Sequence, residues 1–381
     1  AMSQQVVKFI QEIFQTKEFI PLHEPRFLGN EKTFLMDTID TSYVSSVGEF
    51  VDKFESGLSA FTGSEKAIAL VNGTSALHLS LVLADVQPED YVITQSLTFV
   101  ATCNAISYCK AEPIFLDVDK RTLGLSPTAL ESWLEENAFS DDDGICRLKK
   151  NNRLIKACVP MHTFGHPVDI KRIVSVCKKW NITLIEDAAE SFGSLYEGKH
   201  TGTFGAMGTL SFNGNKIITT GGGGAILCNK EIYYEGKHLS TTAKKSDNIY
   251  FFHDKVGFNY RLPNINAALG CAQLDQINNF ISKKRKLAHT YENYFHDSEY
   301  SFFTEPEGCY SNYWLNTIIC NDQNHRDEFL SITNTQNVMT RPAWTSMHKL
   351  PMFEEAISDN LSNTLWLEDR IVNLPSSVII K

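Results

Sequence analysis

Between about residues 65 and 230, short apolar runs alternate with helix-length amphipathic stretches. No other feature of this chain restricts its fold as much. Apolar runs at 67–71, 91–93, 113–116, 154–159 and 182–185 predict strands, and 208–212 and 225–228 predict two more. Helical periods at 75–84, 100–108, 127–136 and 169–180 fall between the earlier runs. Strands joined through helices imply parallel pairing, because a parallel connection must return to the same end of the sheet. The expected fold class is therefore α/β, a large domain with a mostly parallel mixed sheet flanked by helices. An acidic stretch at 140–144 followed by a basic one at 147–153 reads as an exposed excursion between a helix and a strand. After about residue 246 the pattern changes to a long helical stretch at 266–294 and a mixed tail. We expect a large, ligand-binding domain at 1–245, N-terminal segment included, and a smaller C-terminal α/β domain at 246–381.

The chain of 381 residues is long enough for these cores without disulfides or metals. Its 35 Lys and Arg against 45 Asp and Glu leave a net charge of -10, which argues against a nucleic-acid binder. A local phosphate site remains compatible with that charge. The nine cysteines are scattered, odd in number and form no C-x-x-C pair, as expected of free thiols in a reducing compartment. Residues 1–15 lack the pattern of a secretory leader, and Ala1 ahead of Met2 reads as an added residue. No apolar run approaches the roughly 18 residues of a membrane span. The expectation is a cytoplasmic protein with no membrane or metal partner.

Three local patterns carry chemistry. Asn72-Gly73-Thr74-Ser75-Ala76 follows the first strand directly. Glycine permits a tight turn, and the hydroxyls and amides of a helix N-terminus then offer a cradle for an anion; alone, the pattern also suits an ordinary capped helix. It lacks the spacing of a Walker loop. Glu186-Asp187-Ala188-Ala189-Glu190 ends a buried strand, where α/β proteins bind ligands; an acid there pairs with a ligand cation or caps the next helix. Lys216 stands between Ser211-Phe212 and Gly221-Gly222-Gly223-Gly224. Most lysines are solvated surface, but a desolvated one becomes a usable nucleophile. A phosphate cradle, an acid for a pyridine nitrogen and a lysine for an aldehyde are what pyridoxal 5'-phosphate requires.

These motifs, in this order, resemble the sugar aminotransferases of the DegT/DnrJ/EryC1/StrS family, fold-type-I pyridoxal phosphate enzymes. The resemblance begins near Ile20 and also includes Val44-Ser45-Ser46-Val47-Gly48, Leu97-Thr98-Phe99, Phe164-Gly165-His166, Gly257-Phe258-Asn259-Tyr260-Arg261 and Asn373-Leu374-Pro375-Ser376. It implies that Lys216 holds the cofactor aldehyde and shuttles a proton, and that Asp187 keeps the ring nitrogen protonated. Gly73, Thr74 and Ser211 would bind the phosphate, with Ser75 a neighbouring candidate, and Phe99 would stack on the ring. Asn259 would reach the phosphate of the other subunit in a homodimer with shared sites. Glu190 stands where many members have Gln, near the cofactor's phenolic oxygen, and Asn213 where many have His. In the dehydratase branch histidine replaces the lysine, so Lys216 favours transamination.

The segment 29–55 most resembles enzymes that aminate the 4-keto carbon of UDP-linked 6-deoxy-N-acetylhexosamines, on routes to legionaminic acid, bacillosamine and other bacterial surface sugars. The expected donor is L-glutamate. The alternatives are a GDP-perosamine-type 4-aminotransferase and a non-catalytic sensor that keeps the cofactor fold. His162, His253 and Tyr260 are candidates for the sugar pocket, and Lys244, Lys245 and Arg261 for the nucleotide diphosphate; each also reads as an ordinary polar residue.

Overall fold

The computed structural model describes residues 2–45, 48–246 and 249–380, so Ser46 and Val47 of the Val44–Gly48 motif lie outside the described residues. Its centre is an eight-stranded sheet with spatial order Lys66–Leu70, Gly224–Cys228, Met207–Ser211, Thr183–Asp187, Ile155–Val159, Tyr91–Gln95, Glu112–Leu116 and Ile357–Ser358. Each neighbouring pair is parallel, except that Gly224–Cys228 runs antiparallel to both of its neighbours. The exception falls at the return from Ser211 to Gly224, which contains no helix. Lys216 sits in that return.

Helices Gly73–Leu83, Val100–Tyr108, Pro127–Asn137 and Ile170–Lys179 fill the intervals between the parallel strands. Ile68, Leu70, Val92, Val159 and Ile226 pack against Leu77 and Leu79 on one face, and Ile93, Ile114 and Leu184 against Leu130 and Ile173 on the other. The sheet is thus covered on both sides, which is why its strands read as continuous apolar runs. The mixed α/β class read from the sequence is the observed one.

The C-terminal elements build a second, antiparallel sheet in the order Ser301–Phe302, Asn316–Ile319, Ile371–Leu374 and Arg341–Pro342. Its core joins Leu287, Tyr291 and Phe295 of helix Ile277–Phe295 to Phe329 and Val372. Val6, Val7 and Ile10 of helix Met2–Phe14 complete that core. Meanwhile helix Asn264–Leu274 packs on helices Glu31–Asp40 and Glu49–Thr62 beside the large sheet. The two packing units therefore interleave along the chain.

The single helix expected at 266–294 is two, Asn264–Leu274 and Ile277–Phe295. The Gln276 side-chain amide occupies the Ala272 carbonyl, and the Gln276 backbone amide turns to Gln273, one residue nearer than an α-helix requires. The excursion at 140–153 is a hairpin of Ala138–Ser140 and Cys146–Leu148, where Arg147 meets Asp141 at 2.8 Å. All nine cysteines are free. No helix among the described residues is long and apolar enough to cross a membrane.

Candidate active site

Because Lys66–Leu70, Met207–Ser211 and Thr183–Asp187 run the same way, their carboxyl ends open on one edge. There a cavity of about 350 Å³ is lined by Gly73, Thr74, Phe99, Asp187, Glu190, Ser211 and Lys216, together with Asn213, Asn215, Met161, Trp314 and Trp344.

Its first wall is the turn after Lys66–Leu70. Asn72 caps helix Gly73–Leu83 by accepting the Ser75 amide on its side-chain oxygen at 2.7 Å. Two consequences follow. The Gly73 and Thr74 amides are left at the helix N-terminus facing the cavity. Ser75, whose amide is spent on the cap, is buried and does not line the cavity. A Cβ on Gly73 would lie 3.0 Å from the Ser211 Cβ and 3.2 Å from its hydroxyl, so glycine keeps that cradle open. Gly224 pairs with Ser211, and a Cβ there would come within 2.5 Å of the Asn72 carbonyl. The glycine run beyond Lys216 thus lets the cradle turn approach the neighbouring strand.

The second wall is the end of Thr183–Asp187. Consecutive strand residues face opposite sides of a sheet, which separates the two acids. Glu186 turns into the protein, where His162 and the amides of Gly202, Phe204 and Gly205 surround it. Burial pushes its carboxyl up, and these bonds outweigh burial and hold it below its ordinary value. His162 accepts the Val168 amide on Nδ1, so Nε2 donates to Glu186. It is fully buried, which places it in the core rather than in a sugar pocket. Asp187 faces the cavity. Thr102 donates to Oδ2 at 2.7 Å and the Ala189 amide to Oδ1 at 3.1 Å. Burial raises its carboxyl above the ordinary range, with Thr102, Ala189 and the Lys216 charge pulling the other way.

The third wall carries Lys216. Its Nζ lies 4.0 Å from Glu190 Oε2 and 4.3 Å from the centre of the Trp314 ring. Glu190 is buried and accepts the Phe164 amide at 2.8 Å. Desolvation lifts its carboxyl to about 7, opposed by Lys216 and the Phe164 amide and assisted by Asp187. Phe99 is 49% exposed, with its ring at the cavity wall.

The remaining sequence candidates lie elsewhere. Asn259 is exposed and pairs with Thr241, outside this chain's cavity lining, although Tyr260 beside it accepts the Val71 amide next to the cradle. His253 bonds the Thr242 carbonyl, and the Tyr260 hydroxyl bonds His78. Lys244 rests on Phe251, and Lys245 faces Asp254 at 4.0 Å. Arg261 bridges Leu70 through its backbone. Sequence reasoning missed Thr102, Trp314 and Trp344 as parts of the site. No local spacing marks the tryptophans, which arrive from the C-terminal third of the chain.

Comparison with known proteins places the chain in a family. The model of the "DegT/DnrJ/EryC1/StrS aminotransferase family" matches residues 28–381. The chain belongs to that family. It is 34% identical over 370 residues to the GDP-perosamine synthase of Escherichia coli O157:H7, covering 94% of this chain and 93% of that protein. It is 36% identical over 339 residues to EpsN of Bacillus subtilis, whose name describes a pyridoxal phosphate-dependent aminotransferase, covering 89% and 84%. In fold it is similar to the aminotransferase TlmJ of Streptoalloteichus hindustanus, with a TM-score of 0.85 at 23% identity over 95% of both chains. The protein is thus a pyridoxal phosphate-dependent sugar aminotransferase of fold type I. The residues present suit the cofactor: an open amide cradle at Gly73, a hydrogen-bonded carboxylate at Asp187 and a lysine amine share one cavity.

Proposed function

We propose that this sugar aminotransferase moves an amino group from L-glutamate onto the 4-keto carbon of a GDP-linked sugar, as in GDP-perosamine synthesis. The observation that carries this reading is the 34% identity with a GDP-perosamine synthase, over a match that covers 94% of the chain. That likeness favours a guanosine-linked over a uridine-linked substrate, the reverse of what the segment 29–55 suggested.

Pyridoxal phosphate supplies an aldehyde that carries the amino group and a cationic ring that accepts electrons. The chain's own residues then have distinct tasks. The Gly73 and Thr74 amides and the Ser211 hydroxyl bind the phosphate, assisted by the positive end of the helix. The Asp187 carboxylate, oriented by Thr102 and Ala189, holds a proton on the ring nitrogen. Phe99, its ring at the cavity wall, would cover the cofactor ring. Lys216 would hold the aldehyde, and its amine would carry the proton at the reacting carbon. Glu190 lies 4.0 Å from Lys216, and the burial of its carboxyl favours the neutral acid. Asn259, exposed and away from its own cavity, completes the phosphate site of a second subunit in a homodimer.

The test is turnover of GDP-, UDP- and dTDP-linked 4-keto sugars with L-glutamate as donor. The GDP-linked substrate is expected to have the highest kcat/KM. A UDP-linked N-acetylated substrate turned over faster would overturn the reading, and no turnover of any would return the sensor alternative.

A further inference from the structure

Trp314 is joined to both loops that bear the site's charged groups. Its backbone amide donates to the Asn312 side-chain oxygen at 2.8 Å, and the Asn312 side-chain amide donates to the carbonyls of Glu190 and Phe192, each at 3.0 Å. Its indole N–H donates to the Asn215 carbonyl at 2.8 Å, one residue before Lys216. Its own carbonyl accepts from the buried Lys284 at 3.0 Å. The side chain is 6% exposed, and its ring presents a face to Lys216 Nζ at 4.3 Å from the centroid. Three bonds fix the ring's place, and none of them is made by the face itself.

We propose that Trp314 is a positioning residue for Lys216, holding the ammonium group against its indole face at the cavity wall. A cation over an aromatic face is stabilised by the ring's quadrupole, most strongly for tryptophan. The neutral amine gains nothing comparable. Trp314 therefore assists Lys216 when its amine has taken up a proton, and holds it at the cavity wall. The other titratable groups near Lys216 are Glu190 at 4.0 Å, Asp187 and His23, whose protonated form burial disfavours. His23 lies 6.3 Å from the tryptophan, ring centre to ring centre. Glu190 and Asp187 remain in a Trp314 variant, so a substitution isolates the ring's part.

The experiment uses the cofactor-free protein, independent of which sugar is the substrate. Lys216 is labelled by formaldehyde and cyanoborohydride, which reacts with neutral amines, and the extent is mapped by mass spectrometry against a surface lysine such as Lys17. The proteins are wild type, Trp314→Phe and Trp314→Leu. At about pH 8 the Leu variant is expected to label Lys216 faster by about 2- to 30-fold, with Phe between, as loss of a cation–aromatic contact requires. A wider cavity would also speed labelling, but equally at every pH. The excess is therefore expected to shrink as the pH rises toward about 11. Equal rates at the lower pH, or an excess of the same size at both, would overturn the proposal. If the Leu variant does not fold, a Phe variant with wild-type labelling at both pH values overturns it as well.

Discussion

Glu190→Gln tests the electrostatics of the site most directly. Folding buries the Glu190 carboxyl and lifts it from an ordinary 4.5 to about 7. Between those values the folded protein keeps a proton that the unfolded chain releases. Stability from this site is therefore complete below 4.5 and is lost as pH rises through 7. At about 1.4 kcal/mol per pH decade, the span corresponds to a loss of about 3 kcal/mol. Glu190 is 3% exposed, so solvent screening removes little of it. Glutamine has nearly the same shape and still offers an oxygen to the Phe164 amide. The assay is urea unfolding of the cofactor-free protein, wild type and variant, at about pH 5 and about pH 8. Relative to wild type, the variant is expected to gain about 2–3 kcal/mol on going from the lower to the higher pH. Curves that stay parallel, within about 0.5 kcal/mol, would show that Glu190 ionises in the folded protein as readily as in the unfolded one, and the reasoning would fail.

Two further outcomes are expected. Gly73→Ala places a Cβ 3.0 Å from the Ser211 Cβ, so it should weaken cofactor binding in equilibrium dialysis by about tenfold, with Gly73→Val worse; unchanged affinity would remove the cradle from the phosphate site. Lys216→Ala and Asn259→Ala chains, each impaired alone, should recover about a quarter of wild-type sites when mixed equally and reassociated, since half the dimers then hold one intact site. Recovery no greater than the average of the two parents would place both residues in one chain's site.

The alternation at 65–230 was enough to read the parallel sheet, because burial on both faces forces continuous apolar runs separated by crossover helices. That Lys216, Asp187 and the Gly73 turn line one cavity could be anticipated for a related reason: Asp187 ends its strand, and the Gly73 turn and Lys216 lie in the loops that follow theirs. Other features had no local signature. Glu186 and Asp187 are adjacent in sequence, and only the pleat, with Thr102 on one side and three backbone amides on the other, assigns one to the cavity and the other to the core. His162 looked like a pocket residue until the fold surrounded it with Val168 and Glu186. The helix break at Gln276 depends on a side chain finding the Ala272 carbonyl, which no periodicity encodes. Trp314 reaches Lys216 from 98 positions away, by a second sheet folding back against the first. Sequence by itself determined which residue types end each strand. Tertiary structure alone decided which of them face one another, because that depends on contacts between segments far apart along the chain.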